Sequence, residues 1–366
     1  MTSTRRRILL PVLGRHLLRS FFSTFALALA AFVAIYVVAD FFDRLDTFLS
    51  HDAPVWTIIR LFLFKIPLIV TQITPIAVLV GALVGLGLLG RQNEFVAMRA
   101  CGVSIWQIAT PLVAAGALIG VLAFAWNEAV VPYSARRWHA IENVDIKKRE
   151  AAMMFTGREV WYHGRAGFYN IERVAPRRSS LYGLTVYQLG TDFRPTRLIE
   201  IDSATWDGAR WQLVGGRTRE FRQGEVRELP RAPVGFTLPE TLDDFRAVSV
   251  EPEELSYGLL RRQMKDLRRK GVDTSESWVD LHMKLSLPAA SLIMMLVAVP
   301  LAAAGTRMSS FASSVGLGFA VGFGYFVVMA FARALGQTGA LPPMVAAWAA
   351  NVLFALIGGF YALGTD

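Results

Sequence analysis

The side chains in this sequence that are able to do covalent chemistry are few and poorly spaced for it. The five histidines, His16, His51, His139, His163 and His282, stand singly along the chain, without the close spacing that brings metal ligands together. No metal centre is expected. Cys101 is the single cysteine, so no internal disulfide can form, and it reads as a small apolar helix residue. There is no Gly-x-Ser-x-Gly elbow and no His-Glu-x-x-His helix, which removes the commonest hydrolase machinery. No lysine is followed by Ser or Thr in a glycine-loop context, so the phosphate-cradling Walker loop is missing and the chain is not expected to hydrolyse ATP by that route. Gly85-Leu-Gly87-Leu-Leu-Gly90 matches the dinucleotide string G-x-G-x-x-G. It lies in an uncharged run with no βαβ context and no suitable acid downstream, and fails as a nucleotide site.

What remains is recognition chemistry. The segment Gly90-Arg91-Gln92-Asn93-Glu94-Phe95-Val96-Ala97-Met98-Arg99-Ala100-Cys101-Gly102 is too short for a domain and too apolar for a plain linker. Asn93 is placed to cap a short helix and Gly102 to end it in the left-handed conformation, while Phe95, Met98 and Arg99 share one helix face. Such a helix docks into a groove on a soluble partner, with Phe95 and Met98 as anchors and Glu94 as a polar contact, or lies in the lipid interface. The pattern leaves both open. A basic cluster, Arg261-Arg262-Gln-Met-Lys265-Asp-Leu-Arg268-Arg269-Lys270, follows Pro252-Glu-Glu-Leu255-Ser256 in a helical pattern. It reads as a solvated helix face or as a contact for an anionic head group or partner.

The elements that position these groups follow from composition. Of 366 residues, 54% are hydrophobic and 18% charged, and the mean hydropathy is +0.40. A soluble protein of this length cannot hide that much apolar side chain, so a membrane protein is expected. The net charge of +9 does not point to nucleic acid, because short cytoplasmic loops also produce a basic balance. Residues 127–284 hold 26 of the 38 Lys+Arg and 23 of the 29 Asp+Glu, which marks a polar insertion between membrane segments.

A bilayer-spanning helix needs about 20 apolar residues. Six uncharged runs qualify: Ser20–Ala39, Ile66–Gly90, Ser104–Trp126, Leu285–Thr306, Met308–Ala332 and Ala334–Thr365, with Pro342-Pro343 marking the start of the last helix. The first run lacks a small-residue cleavage site and is read as a retained helix. Gly81, Gly85, Gly316, Gly318 and Gly322 read as small residues that let membrane helices approach closely. Arg5, Arg6, Arg7, Arg15 and Arg19 precede the first acid, which places the N-terminus in the cytoplasm by the positive-inside rule. Six crossings return the C-terminus there. Eight basic residues then fall on the inner side, with Arg91, Arg99 and Arg307 added, against Arg44, Arg60 and Arg333 outside. The expected organisation is residues 1–130 as three membrane helices with a cytoplasmic helix near 91–102, 131–277 as an insert on the outer face, and 278–366 as three more helices.

Within the insert, Val160–His163, Gly167–Ile171, Leu181–Gln188, Thr196–Trp206 and Ala209–Val214 alternate as strands, with Asp207-Gly208 as a two-residue hairpin turn of type I′. An antiparallel sandwich or jelly-roll is expected. Such a domain suits binding something large or proteinaceous beyond the membrane.

The string Gly81-Ala-Leu-Val-Gly-Leu-Gly-Leu-Leu-Gly-Arg-Gln-Asn-Glu94-Phe-Val-Ala-Met-Arg-Ala-Cys-Gly102-Val-Ser resembles the end of helix two and the coupling helix of the LptF/LptG lipopolysaccharide-export permeases. The resemblance continues in Phe42-Asp43-Arg44-Leu45, Glu128-Ala-Val-Val-Pro132, Phe168-Tyr-Asn-Ile-Glu-Arg173-Val, Leu285-Ser-Leu-Pro288 and Met294-Met295, and covers essentially the whole chain. The Phe42–Leu45 and Phe168–Val174 strings are most similar to the LptG members. The resemblance implies a non-catalytic permease subunit in a bacterial inner membrane, paired with an LptF-like sister. An LptB-like ATPase dimer would bind ATP and Mg, so that no cofactor is held here, and LptC-like and LptA-like jelly-roll proteins would receive lipopolysaccharide extracted from the outer leaflet. It implies ATPase coupling through Arg91, Glu94, Phe95, Met98 and Arg99. Substrate contact is expected near the outer end of helix one, at Phe32, Tyr36 and Asp40. Asp40 stands where LptG members carry a lysine, so Arg44, Arg60 and Lys65 are the cations left to meet a phosphate, or else ordinary interfacial anchors in membrane lipid. A non-transporting adaptor between an ATPase and an external protein shares the docking helix. A secondary transporter does not fit, because the spans lack ionisable residues at their centres.

Overall fold

A computed structural model describes residues 2–146, 160–164, 167–175, 179–189, 195–208, 210–222, 225–229, 238, 251–269, 274–304 and 311–363. Long apolar runs fold as helices, since a chain in hydrocarbon must satisfy its own backbone. Before the sheet these are α1 (Thr2–Asp43), α2 (Leu45–Ser50), α3 (Val55–Arg91), α4 (Glu94–Ala100), α5 (Ile105–Ala129) and α6 (Val131–Ala140). After it come α7 (Tyr257–Arg269), α8 (Ser275–Ala304), α9 (Phe311–Gln337) and α10 (Pro343–Leu363). Six of them are long and apolar enough to cross a bilayer: Val12–Asp43, Val55–Arg91, Trp106–Ala129, Ser275–Ala303, Ala312–Gln337 and Pro343–Leu363. Each overlaps one of the six uncharged runs and several extend beyond it through charged residues, and α10 starts at the second of the two prolines, whose missing N–H costs nothing in a first turn.

The chain divides into two compact units. Met1–Leu45, Phe62–Ala135 and Ser275–Asp366 form the helical one. Its core gathers Leu17 and Phe21 of α1, Leu79 and Leu83 of α3, Ile108 and Leu112 of α5, Met294 and Met295 of α8, Tyr325 of α9 and Phe354 of α10. The span in α3 is mostly buried, whereas those in α1 and α9 are mostly exposed, so α3 is the central post. Among the described residues, one buried polar chain crosses this core. The Tyr325 hydroxyl donates to Asn351 Oδ1 at 2.9 Å, and Asn351 Nδ2 donates to the Ser286 carbonyl at 2.7 Å, tying α8, α9 and α10. Buried in an apolar unit, these groups must pair with one another.

The glycines expected at close approaches are in place, with one exception. A Cβ on Gly81 would lie 2.7 Å from Phe25 Cα, one on Gly85 3.0 Å from Thr24 Oγ1, one on Gly318 2.8 Å from Val80 Cγ2, and one on Gly322 2.6 Å from Ile76 Cδ1. At Gly316 a Cβ would meet nothing within 4 Å. The exception is geometric. Gly318 and Gly322 are four residues apart and share a face, while Gly316 precedes Gly318 by two and points elsewhere.

Asp46–Leu61 and Arg136–Thr274 form the second unit. Its strands are β1 (Val160–Gly164), β2 (Gly167–Ala175), β3 (Ser180–Leu189), β4 (Pro195–Trp206), β5 (Trp211–Val214), β6 (Arg217–Arg222) and β7 (Glu225–Leu229). They make one antiparallel sheet in the order β1-β2-β3-β4-β6-β7, with β5 also on β4. The twelve residues of β4 hold two partners in tandem along one edge: Ser203–Trp206 pair with β5 and Arg197–Glu200 with β6. Tyr169, Ile171, Leu184, Val186, Ile199, Ile201, Trp211 and Leu238 line its apolar face. A jelly-roll requires two packed sheets. The described residues form one antiparallel sheet.

Two details differ from the sequence reading. The hairpin closes one rung beyond the expected one: Asp207 N–H donates to the Arg210 carbonyl at 3.1 Å past the Trp206–Trp211 pair, so Asp207 is paired and is not the first of two turn residues. Asp207 instead sits at the corner, where its carboxylate accepts the Arg210 N–H at 2.7 Å, an Asx contact that competes with the simple turn. Strands β6 and β7 were not expected. RTREFR and EVREL lack an apolar alternation, and ion pairs from Arg197 to Glu220 at 2.6 Å and from Arg219 to Glu200 at 3.3 Å support the ladder instead.

Candidate functional site

The short helix after α3 is built from local signals. Asn93 adopts φ +58°, a left-handed turn that asparagine tolerates, rather than the extended backbone of an ordinary N-cap. Its carbonyl still accepts the first helical bond, from Ala97 at 2.9 Å. At the other end Gly102 has φ +79° and Val103 N–H reaches back to the Met98 carbonyl at 3.1 Å. This is the six-to-one bond of a Schellman stop, with the accompanying apolar pair Met98 and Val103, both packed against the membrane core. Ser104 then opens α5 with a reciprocal capping box to Gln107. Two stops and a cap within twelve residues hold α4 as a rigid elbow between α3 and α5.

Across that elbow the expected coupling residues separate. Arg91 is exposed. Glu94 Oε2 lies 2.8 Å from His16 Nε2 on α1, both groups about half exposed. Met98 turns inward onto the core, so α4 is seated on its own chain through one apolar and one polar contact. The side chains of Phe95 and Arg99 lie outside the described residues. His16 was singled out in the sequence only for lacking metal spacing, because its partner is 78 residues away.

At the opposite end of α1 and α3, two of the three expected cations, Arg44 and Lys65, meet at Asp40. Lys65 Nζ donates to both oxygens of Asp40, at 2.8 and 2.7 Å, and Arg44 Nε donates to Asp40 Oδ1 at 3.2 Å. The two paired side chains are 6% exposed for Lys65 and 12% for Asp40. A buried carboxylate in hydrocarbon demands such a partner. Below it, Ile69, Ile73 and Ala77 of α3 pack against Phe25, Leu29, Phe32 and Val33 of α1, so Phe32 is half-buried in the seam. Tyr36 is exposed. Arg60 is exposed and belongs to the second unit. The structure therefore brings together Asp40, Arg44 and Lys65, with Phe32 in the same helix pair.

The second unit carries its own titratable group. Glu254 Oε1 lies 3.8 Å from His139 Nε2, and the imidazole stacks on Trp138 at 3.7 Å between ring centroids. Burial, with Glu251 and Glu253 adding to it and Arg136 opposing, pushes the Glu254 carboxyl from 4.5 up to about 7. A raised carboxyl pKa favours the folded state most where the group is protonated, so this contribution is lost as pH rises from about 4.5 through about 7. Glu254→Gln is expected to raise the melting temperature at pH 8 and to flatten its dependence between pH 5 and 8. Scanning calorimetry of the detergent-solubilised chain checks this. Parallel curves for the two proteins would exclude Glu254 as the group responsible.

A match along nearly the full length decides what these features belong to. Residues 15–363 match the family model described as "Lipopolysaccharide export system permease LptF/LptG". The chain belongs to the LptF/LptG permease family. It is 24% identical over 357 residues to the lipopolysaccharide export system permease protein LptG of Escherichia coli (strain K12), covering 94% of this chain and 96% of the relative. It is 23% identical over 354 residues to the LptG of Haemophilus influenzae, covering 93% and 94%. This LptF/LptG chain is a multi-pass membrane protein, with six apolar helices and a sheet domain between the third and fourth.

Proposed function

We propose that this chain is the permease subunit of an ABC transporter in a bacterial inner membrane. It extracts lipopolysaccharide from the outer leaflet and passes it to a periplasmic jelly-roll bridge. ATP and Mg are bound and turned over by a separate LptB-like ATPase dimer, an LptF-like sister completes the cavity, and LptC-like and LptA-like proteins receive the lipid. Both termini are cytoplasmic and the sheet domain, folded as a jelly-roll, is periplasmic. The observation that carries the reading is the full-length family match to proteins named for lipopolysaccharide export.

The geometry supports a division of labour. Arg91, Glu94, Phe95, Met98 and Arg99 form the ATPase contact on a rigid elbow, and Met98 and the Glu94–His16 bond deliver its movement to the core and to α1. A displacement there shifts the population between open and closed arrangements of the helices. At the outer end, Arg44, Arg60 and Lys65 supply positive charge for lipid A phosphates, with Asp40 holding Lys65 in place, while Phe32 and Tyr36 face the acyl chains.

The test is a photo-crosslinking amino acid at Tyr36, which is exposed, in cells with and without the ATPase. An adduct with lipopolysaccharide that needs the ATPase is the expected result. No adduct while the ATPase still co-purifies would overturn extraction through this chain and leave a non-transporting adaptor.

A further inference from the structure

Helix α7 carries the basic cluster of the sequence and takes no part in the site described above. Leu260, Met264 and Leu267 are buried, which fixes one stripe of the helix inward. Arg261, Arg262, Lys265, Arg268 and Arg269 are all exposed. At 100° per residue they fall within an arc of about 120° beside the apolar stripe. The only acid among residues 261–269 is Asp266, which lies 3.8 Å from Arg269 with both side chains exposed. Among the described residues no ion pair reaches Arg261, Arg262, Lys265 or Arg268. Like charges packed this closely without counter-charges repel, so the sequence maintains the arc at a cost to the helix itself.

The chain tethers this arc to a bilayer. Ser275 begins a helix whose uncharged run opens at Leu285; six peptide steps and ten helical residues keep Arg269 within about 35 Å of that run along the chain. A basic arc on so short a tether is within reach of the negative surface of anionic phospholipids. Long Arg and Lys stems let the charged heads extend toward the phosphates while the backbone stays fixed by the buried stripe.

We propose that α7 is an electrostatic membrane-surface anchor, whose basic arc binds the phosphate head groups of anionic phospholipids and fixes the root of the sheet domain against the bilayer. Each basic residue near such a surface contributes roughly fivefold in partitioning at moderate salt. The anchor weakens as salt shortens the screening length to about 3 Å near 1 M.

Gly258 lies on the same helical line as Arg262, Lys265 and Arg269, and a Cβ there meets nothing within 4 Å, so Gly258→Cys in a Cys101→Ser background accepts a nitroxide label on the arc. The full chain with its partners is placed in nanodiscs of phosphatidylcholine alone or with about one third phosphatidylglycerol. Collisions of the label with a neutral aqueous relaxation agent are then measured. The expected result is at least a twofold fall in aqueous accessibility with phosphatidylglycerol, reversed at 1 M salt and absent in an Arg261→Gln, Arg262→Gln, Lys265→Gln, Arg268→Gln variant. Equal accessibility in both lipids overturns the anchor, as does a lipid effect that survives in that variant. Protection that appears only when lipopolysaccharide is added also overturns it, by assigning the arc to the cargo.

Discussion

Lys65→Met is expected to destabilise the helical unit by about 3–5 kcal/mol, because it strands the Asp40 carboxylate in a water-poor site. Lys65 Nζ donates to both Asp40 oxygens, at 2.8 and 2.7 Å, and removing it leaves, among the described residues, Arg44, whose Nε is 3.2 Å away. That remaining contact places the cost toward the lower end of the range. Asp40→Asn combined with Lys65→Met removes both charges and is expected to recover most of the loss, since replacing a buried pair by neutral groups is often close to neutral. Thermal inactivation midpoints of the two single variants and the double variant in detergent give the coupling directly. The same variants separate the two roles of Lys65. If it meets a cargo phosphate, the double variant stays folded but loses the lipopolysaccharide adduct at Tyr36. Recovery of both would assign the pair to structure alone.

The membrane helices were legible in the sequence because hydrocarbon imposes a long-range rule, an uncharged run of fixed length, that no other context produces. Where the rule bends, the reading fell short. Helix α3 runs from Val55 through Arg60 and Lys65 into the uncharged stretch, because an ionic group near a helix end is tolerated when it reaches the interface or a partner. That partner could not be read. Asp40 and Lys65 are 25 residues apart on two helices, and a seam between helices has no local period. Strands β6 and β7 were hidden for a different reason, since both of their faces carry charge and the ladder is held by cross-strand ion pairs. Gly316 shows the reverse failure: composition marked it as a packing residue, yet its face was set by a two-residue offset from Gly318 that only the helix geometry resolves.

The α1/α3 seam is continuous from the Asp40–Lys65 pair down to Gly81, which makes its lower end the more sensitive one. A side chain at Gly81 would enter the backbone of α1, with its Cβ 2.7 Å from Phe25 Cα and 2.9 Å from Phe25 N, so no rotamer change relieves it. Carbon contacts settle near 3.7 Å, and the helices must therefore part by about 1 Å. The Thr24 hydroxyl, which donates to the Gly81 carbonyl at 2.7 Å, gives up that contact between the helices in the same movement and falls back on the Ser20 and Phe21 carbonyls of its own helix. Gly81→Leu is expected to cost about 3 kcal/mol or more, at the upper end of overpacking, whereas Gly316→Leu, with open space around it, stays within about 0.5 kcal/mol. The midpoint of thermal inactivation compares them. A lever argument extends the result to function, because α1 also carries His16, bonded to Glu94 at 2.8 Å, and Tyr36 at the proposed lipid face. Parting the seam should cut the ATPase-dependent adduct at Tyr36 severalfold even at temperatures where Gly81→Leu remains folded. An adduct of undiminished yield in folded Gly81→Leu would mean that movement reaches the outer end by a route other than α1.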